Sequence, residues 1–171
     1  MKENWKYFLI SVIVIIVDQL SKYYVRLKVP LNHSIEVIGK YFIIYHVENE
    51  GAAFSFSLGD YSRWIFIAFT SVLIVVFIYL IIKQPKFQKL YYSLILGGAI
   101  GNLIDRVIFG KVTDFLDSMY PRIPSEWNWF YSFDRWPIFN VADSMIVIGM
   151  ILFAVDAIIL DNKRKKSLEE A

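Results

Sequence analysis

No cysteine occurs among the 171 residues. That removes disulfides, thiol nucleophiles, thiolate metal sites and lipid attachment at Cys. Histidine appears only as His33 and His46. Strand-like sequence separates the two, and no carboxylate or His stands at ligand spacing from either. Both read as ordinary loop residues rather than metal ligands. There is no HExxH, no Gly-rich phosphate loop and no Ser/His pair in a plausible setting. Charge is also scarce, at 20% of residues with a net of +2, too little to point to nucleic acid. No internal repeat or low-complexity tract is evident, and no metal or cofactor is expected.

What the chain has instead is apolar length. Hydrophobic residues make up 57% and aromatic residues 18%, more apolar and less charged than a soluble domain of this size. The apolar residues fall in blocks of the length a bilayer demands, about 20 residues per spanning helix. Transmembrane helices are expected over about 5–26, 64–82, 90–109 and 138–160. Outward-facing loops are expected over 27–63 and 110–137. The first block follows a short basic start but lacks a small-x-small cleavage site, so it reads as a retained helix. The length suits a single domain. The fold class is an all-α membrane protein of four transmembrane helices, with a small extracytoplasmic β-rich part and a mobile outer loop or helix. The β-rich part rests on Ile35-Glu36-Val37-Ile38 and Tyr41 to Val47, which read as short strands.

Charge asymmetry sets the expected orientation. The connection at 83–89 carries Lys83, Lys86 and Lys89 without an acid, and the tail carries Lys163-Arg164-Lys165-Lys166. Basic residues favour the cytoplasmic side, which puts both termini there and the two long loops outside. The segment Trp127 to Trp136 is too aromatic for a solvated loop and suits the headgroup level.

The polar residues inside or beside these blocks carry the chemistry. Asp18 and Lys22, four apart, share a helix face and can pair; easing two charges into the interface explains them as well as a functional role does. Asn49 precedes Gly51-Ala52-Ala53, small residues that let a backbone approach another group closely or simply make a tight turn. Gly97 and Gly101 form a small-xxx-small pair for close helix packing. Asn102 and Arg106 share a face, as do Asn140 and Asp143. Asp105 is expected to balance Arg106, and Asp117 to face water.

Asp114 and Asp143 lie where hydrophobic segments end or begin, at similar depth if both segments cross. Two carboxylates at close range cannot readily both ionise, so the pair shares a proton. The ionised member can take a proton from water while the protonated one polarises a carbonyl. That is peptide hydrolysis without metal or covalent intermediate. Proton transport by the same acids is the chief competitor, although transporters more often place them near the midplane on broken helices. A scaffold whose polar residues only join helices is a third reading.

At this point the residues resemble a known family, the bacterial lipoprotein signal peptidases, or signal peptidase II, aspartic peptidases of family A8. The motifs are Asp18-Gln19-Leu20-Ser21-Lys22, Asn49-Glu50-Gly51-Ala52-Ala53-Phe54, Gly101-Asn102-Leu103-Ile104-Asp105-Arg106, Val112-Thr113-Asp114-Phe115 and Phe139-Asn140-Val141-Ala142-Asp143. Each is short; together, in this order, they span nearly the whole chain. The resemblance implies a peptidase of the bacterial cytoplasmic membrane. It would remove signal peptides from diacylglyceryl-modified prolipoproteins just before the lipidated Cys, and globomycin-type inhibitors would block it. It implies Asp114 and Asp143 as the catalytic dyad. Asn49, Gly51, Asn102, Arg106 and Asn140 would line the substrate site, with Asp18, Lys22 and Asp105 in support. A monomer without cofactor, in contact with membrane lipid, is expected. One departure is the stretch 119–136, longer and more aromatic than the family's mobile active-site cover; it would lie on the outer leaflet and alter how the cover closes.

Overall fold

A computed structural model of the chain describes residues 4–50, 61–119 and 136–169. Helix α1 spans Trp5–Lys28, α2 Ser62–Lys83, α3 Lys86–Phe109 and α4 Val141–Glu169. All four are long and apolar enough to cross a membrane. Strands β1 (Ser34–Ile38), β2 (Phe42–Asn49) and β3 (Val112–Ser118) form an antiparallel sheet in the order β1-β2-β3. The four-helix membrane architecture with a small β-rich part is therefore present. The third strand was not foreseen: it comes from the second long loop, where Val112, Thr113, Phe115 and Leu116 supply the β-prone residues.

Helix α3 is the central element, packed against α1, α2 and α4. Its small residues allow this, because neither water nor lipid drives apolar helices together and association depends on close approach. A Cβ on Gly97 would meet Val14 Cβ of α1 at 2.7 Å, and one on Gly98 would run into the Ala142 carbonyl of α4. Gly149 of α4 answers with a close approach to Ile95 of α3, 2.6 Å from the same kind of added carbon. At the far end Tyr91, Tyr92 and Phe153 stack edge-on or tilted, and Tyr91 and Gln88 both donate to Asp156. Helix α2 buries only Ile81 and leaves Trp64, Phe69, Val72, Val75 and Tyr79 exposed. In a bilayer these side chains meet lipid, and the helix satisfies its own backbone.

The helix ends that carry the functional motifs converge. Helix α3 stops at Gly110, whose left-handed φ of 79° suits a residue without Cβ and whose N–H returns to the Arg106 carbonyl. Arg63, at the start of the antiparallel α2, donates to the same Arg106 carbonyl and to that of Val107. The chain then enters β3 directly. Met119 N–H donates to Tyr41 O and Trp136 N–H to Ser118 O, so both borders of 120–135 are tied to the sheet. Those residues, and with them most of the aromatic stretch 119–136, lie outside the described residues, as do residues 51–60.

The start of α4 differs from the sequence expectation of 138. It begins at Val141, and Asn140 caps it rather than sharing its face: Asp143 N–H donates to Asn140 Oδ1 (2.9 Å) and Asn140 N–H to Asp143 Oδ2 (3.2 Å). This reciprocal pair is a capping box with acid at its third position. Helix α4 also continues past residue 160 to Glu169 and so includes the basic tail.

The fold yields one stability test. An added Cβ on Gly101 would lie 2.6 Å from Asp18 Oδ2 and 3.1 Å from its Cγ. Asp18 is fully buried and held by Lys22, Gln19 and the Ala142 N–H, so it cannot give way. Gly101→Ala is expected to destabilise the protein by about 1–3 kcal/mol, read as a lower unfolding temperature in detergent.

Candidate active site

The site is assembled from the α1 and α3 ends, the α4 start and two strands. Thr113 N–H donates to Asp105 Oδ2 at 3.0 Å, which anchors β3 to α3 one residue before Asp114. On the other side, Phe115 and Leu116 N–H donate to the Phe139 carbonyl, and Phe139 N–H to Leu116 O. Pairing at Phe139 places the next residue, Asn140, beside Asp114. The register Val47↔Asp114 and Asn49↔Val112 brings the end of β2 alongside as well.

Asn140 connects the two acids. Its Nδ2 donates to Asp114 Oδ1 at 2.6 Å, while its backbone N–H serves Asp143 Oδ2. Asn49 Nδ2 donates to Asp114 Oδ2 at 2.9 Å, and Asn102 Nδ2 to Asp143 Oδ1 at 2.8 Å. Among the described residues each carboxylate therefore has two N–H donors, and the acids are close enough that the charge on Asp143 acts on Asp114.

Asp114 is 2% exposed. Burial pushes its carboxyl up to about 6; the donors Asn49 and Asn140 and the Lys22 charge oppose the rise, while neighbouring Asp143 adds to it.

Beneath the pair lies a second cluster, centred on the fully buried Asp18, Lys22 and Asp105. Lys22 Nζ is 2.9 Å from Asp18 Oδ2 and 3.4 Å from Asp105 Oδ2, and it donates to Asn102 Oδ1 at 2.9 Å. Gln19 Nε2 donates to Asp18, Asp105 and the Gly101 carbonyl. Arg26 reaches Asp105 Oδ1 at 3.6 Å and donates to Thr113 Oγ1 at 2.8 Å. Asp18 Oδ1 accepts the Ala142 N–H, one of the open donors of the α4 N-terminus.

Asn49, Asn102, Asn140, Asp114 and Asp143 thus share one network, with Asp18, Lys22 and Asp105 directly behind it. Gly51 lies outside the described residues. Arg106 stands apart: its guanidinium lies over the Phe66 ring at 5.1 Å, within electrostatic reach of Asp143, Asp114 and Asp105. Two expectations are corrected. Asp105 makes its ion pairs with Lys22 and Arg26 across the helix interface, not with Arg106, because adjacent residues on a helix point to different faces. Asp117 is buried rather than water-facing, since β3 is covered on both faces over most of its length. His46 is a buried β2 residue whose Nδ1 bonds Val29 O. Gln19, Arg26 and Thr113 were not singled out by sequence reasoning. Gln19 lay within the first motif, but its partners at Gly101 and Asp105 are far along the chain.

The comparisons with known proteins decide the family. Residues 10–159 match the family described as Signal peptidase (SPase) II. The chain belongs to the signal peptidase II family. The lipoprotein signal peptidase of Geobacter metallireducens is 39% identical over 171 residues, covering 97% of this chain and 99% of that protein. That of Alteromonas mediterranea is 38% identical over 169 residues, covering 96% and 85%. A bacterial membrane enzyme solved at 2.3 Å by the in meso method superposes with a TM-score of 0.76 at 35% identity, covering 94% of this chain and 91% of the other. This signal peptidase II is accordingly a membrane-embedded peptidase of the bacterial inner membrane that processes lipoproteins.

The raised Asp114 carboxyl gives a pH-dependent stability with a definite sign. Its folded value of about 6 exceeds the ordinary 3.8. The stabilisation it contributes is therefore full below about pH 4 and lost as pH rises through about 6. The unfolding temperature of Asp114→Asn minus that of wild type should become more positive from about pH 4 to about pH 7. Thermal unfolding in detergent across that range checks the slope.

Proposed function

We propose that Asp114 and Asp143 are the catalytic dyad of this signal peptidase II, and that it cuts diacylglyceryl-modified prolipoproteins just before the lipidated Cys. The observation that carries the reading is Asn140, which donates to both acids and joins them in one site. The ionised carboxylate takes a proton from a water molecule, whose oxygen bonds to the scissile carbonyl carbon. The protonated carboxyl gives its proton to the carbonyl oxygen. Collapse of this intermediate breaks the C–N bond as the departing nitrogen accepts a proton. Asn49, Asn102 and Asn140 hold the carboxylates in register, and Arg106 is available to substrate carbonyls from across the site. Gly51 of the second motif is assigned to substrate binding, and globomycin-type inhibitors compete with substrate at the same site. The enzyme acts as a monomer, with lipid against the exposed faces of its helices.

The basic connection at 83–89 and the basic tail support an orientation with both termini cytoplasmic. The dyad, at the opposite end of α3 and α4, then lies near the outer leaflet, where exported precursors arrive.

The test uses purified protein in detergent or lipid and a lipobox peptide carrying diacylglyceryl-Cys. Wild type should cleave just before that Cys, with chelator present and no ion gradient, and globomycin should inhibit. Asp114→Asn and Asp143→Asn should each lose about 10²–10⁴-fold or more in kcat while remaining folded. Folded wild type that never cleaves but conducts protons in liposomes would contradict the reading.

A further inference from the structure

Lys22 is fully buried, and its role goes beyond charge balance. An ammonium has three N–H donors and no acceptor. Two of its contacts go to Asp18 and Asp105, where Gln19, Arg26, Thr113 N–H and Ala142 N–H also converge. Two acids and two cations already balance there. The remaining contact, to Asn102 Oδ1, is to a neutral amide.

That contact fixes which way the amide points. Lys22 and Asn140 Nδ2 both approach the same Asn102 atom, at 2.9 and 3.1 Å, and both are donors. The atom facing them must therefore be the oxygen, and Nδ2 is directed at Asp143 Oδ1. An amide whose oxygen sits on an ammonium is polarised, which strengthens its N–H. Asp143 also receives a backbone N–H and occupies the third position of α4, where the helix dipole favours negative charge.

Asp114 is placed differently. It lies on a strand rather than in the first turn of a helix, and is more deeply buried than Asp143. Both its donors are side-chain amides, and a neutral carboxyl can still accept at each oxygen. Among the described residues, the charged and titratable groups facing the pair are Lys22 and Asp18 on α1, Asp105 and Arg106 on α3, and the two acids themselves on β3 and α4.

We propose that Lys22 is a positioning residue which, through Asn102, keeps Asp143 as the ionised member of the pair and leaves the shared proton on Asp114. This rests on the dyad reading above. Water then loses its proton to Asp143 while its oxygen bonds to the scissile carbon, and the carbonyl oxygen takes the proton of Asp114. On collapse, Asp143 passes its proton to the departing nitrogen, the C–N bond breaks and one hydroxyl of the intermediate returns a proton to Asp114. Both acids end as they began.

The first arm of the test is an infrared titration of resting enzyme with ¹³C-labelled aspartate, without substrate, so its result is independent of whether cleavage occurs. A carboxylic-acid band titrating near pH 6 is expected in wild type, the same band at lower pH in Asp143→Asn, which lacks the neighbouring charge, and no such band in Asp114→Asn. The reverse pattern overturns the proposal. The second arm is the pH profile of kcat/KM. Lys22→Met, and Asn102→Leu, which leaves the Lys22 ion pairs in place, should move the acid limb upward by about one pH unit or more. Lys22→Arg should return the limb part of the way to its wild-type position. If Lys22→Met does not fold, Asn102→Leu decides. A lower rate with an unmoved limb means a merely structural role and overturns the proposal.

Discussion

The structure depends on one buried ammonium. Lys22 sits with Asp18 and Asp105 at the meeting point of α1, α3, β3 and α4, all three side chains fully buried. On insertion scales each such charge costs about 2.5–3.5 kcal/mol at the centre of a membrane helix unless it finds partners. Here the partners come from four elements, so the cost is offset only when all four are in place. The cluster thereby specifies one arrangement of the bundle. Gly101 makes room for Asp18, Ala142 lends it a helix-start N–H, and Thr113 ties the strand to Asp105.

On this base the acid pair is held by short, mutually dependent bonds. The Asn140 side chain cannot rotate to favour Asp114 without losing the Asp143 N–H that caps α4. The start of α4 is consequently both a helix terminus and half of the site. The arrangement costs stability at Asp114, a buried carboxyl that makes no ion pair among the described residues. Such costs are characteristic of functional sites, where a group is retained for reactivity rather than for folding.

Much of this was legible in the sequence, for reasons that can be named. Apolar blocks of membrane-spanning length gave the helices, because lipid allows few other solutions. The spacing of Asp18 and Lys22 gave their pairing, since four residues along a helix is a local relation. The motif residues Asn49, Asn102, Asn140, Asp114 and Asp143 do lie in one network. What stayed hidden is contact between distant segments. Asp105 reads most simply with its neighbour Arg106, yet its partners Lys22 and Arg26 lie on another helix. Asp117 looks like a loop acid, but β3 carries it into a covered sheet. Asn140 and Asp143 share helical spacing, which cannot distinguish two residues on one face from a cap and its third residue. That distinction rests on where the backbone turns, and the turn is set by Phe139 pairing with β3.

In the proposed mechanism two carboxylates activate water directly and neither attacks the substrate. A single turnover in ¹⁸O-water tests it most directly, with lipidated peptide below the enzyme concentration and mass analysis of both product and enzyme. Direct attack by water puts one ¹⁸O in the new carboxylate of the released signal peptide and none in Asp114 or Asp143. Label in either aspartate, with unlabelled oxygen passed to the product, would reveal an acyl-enzyme and contradict it.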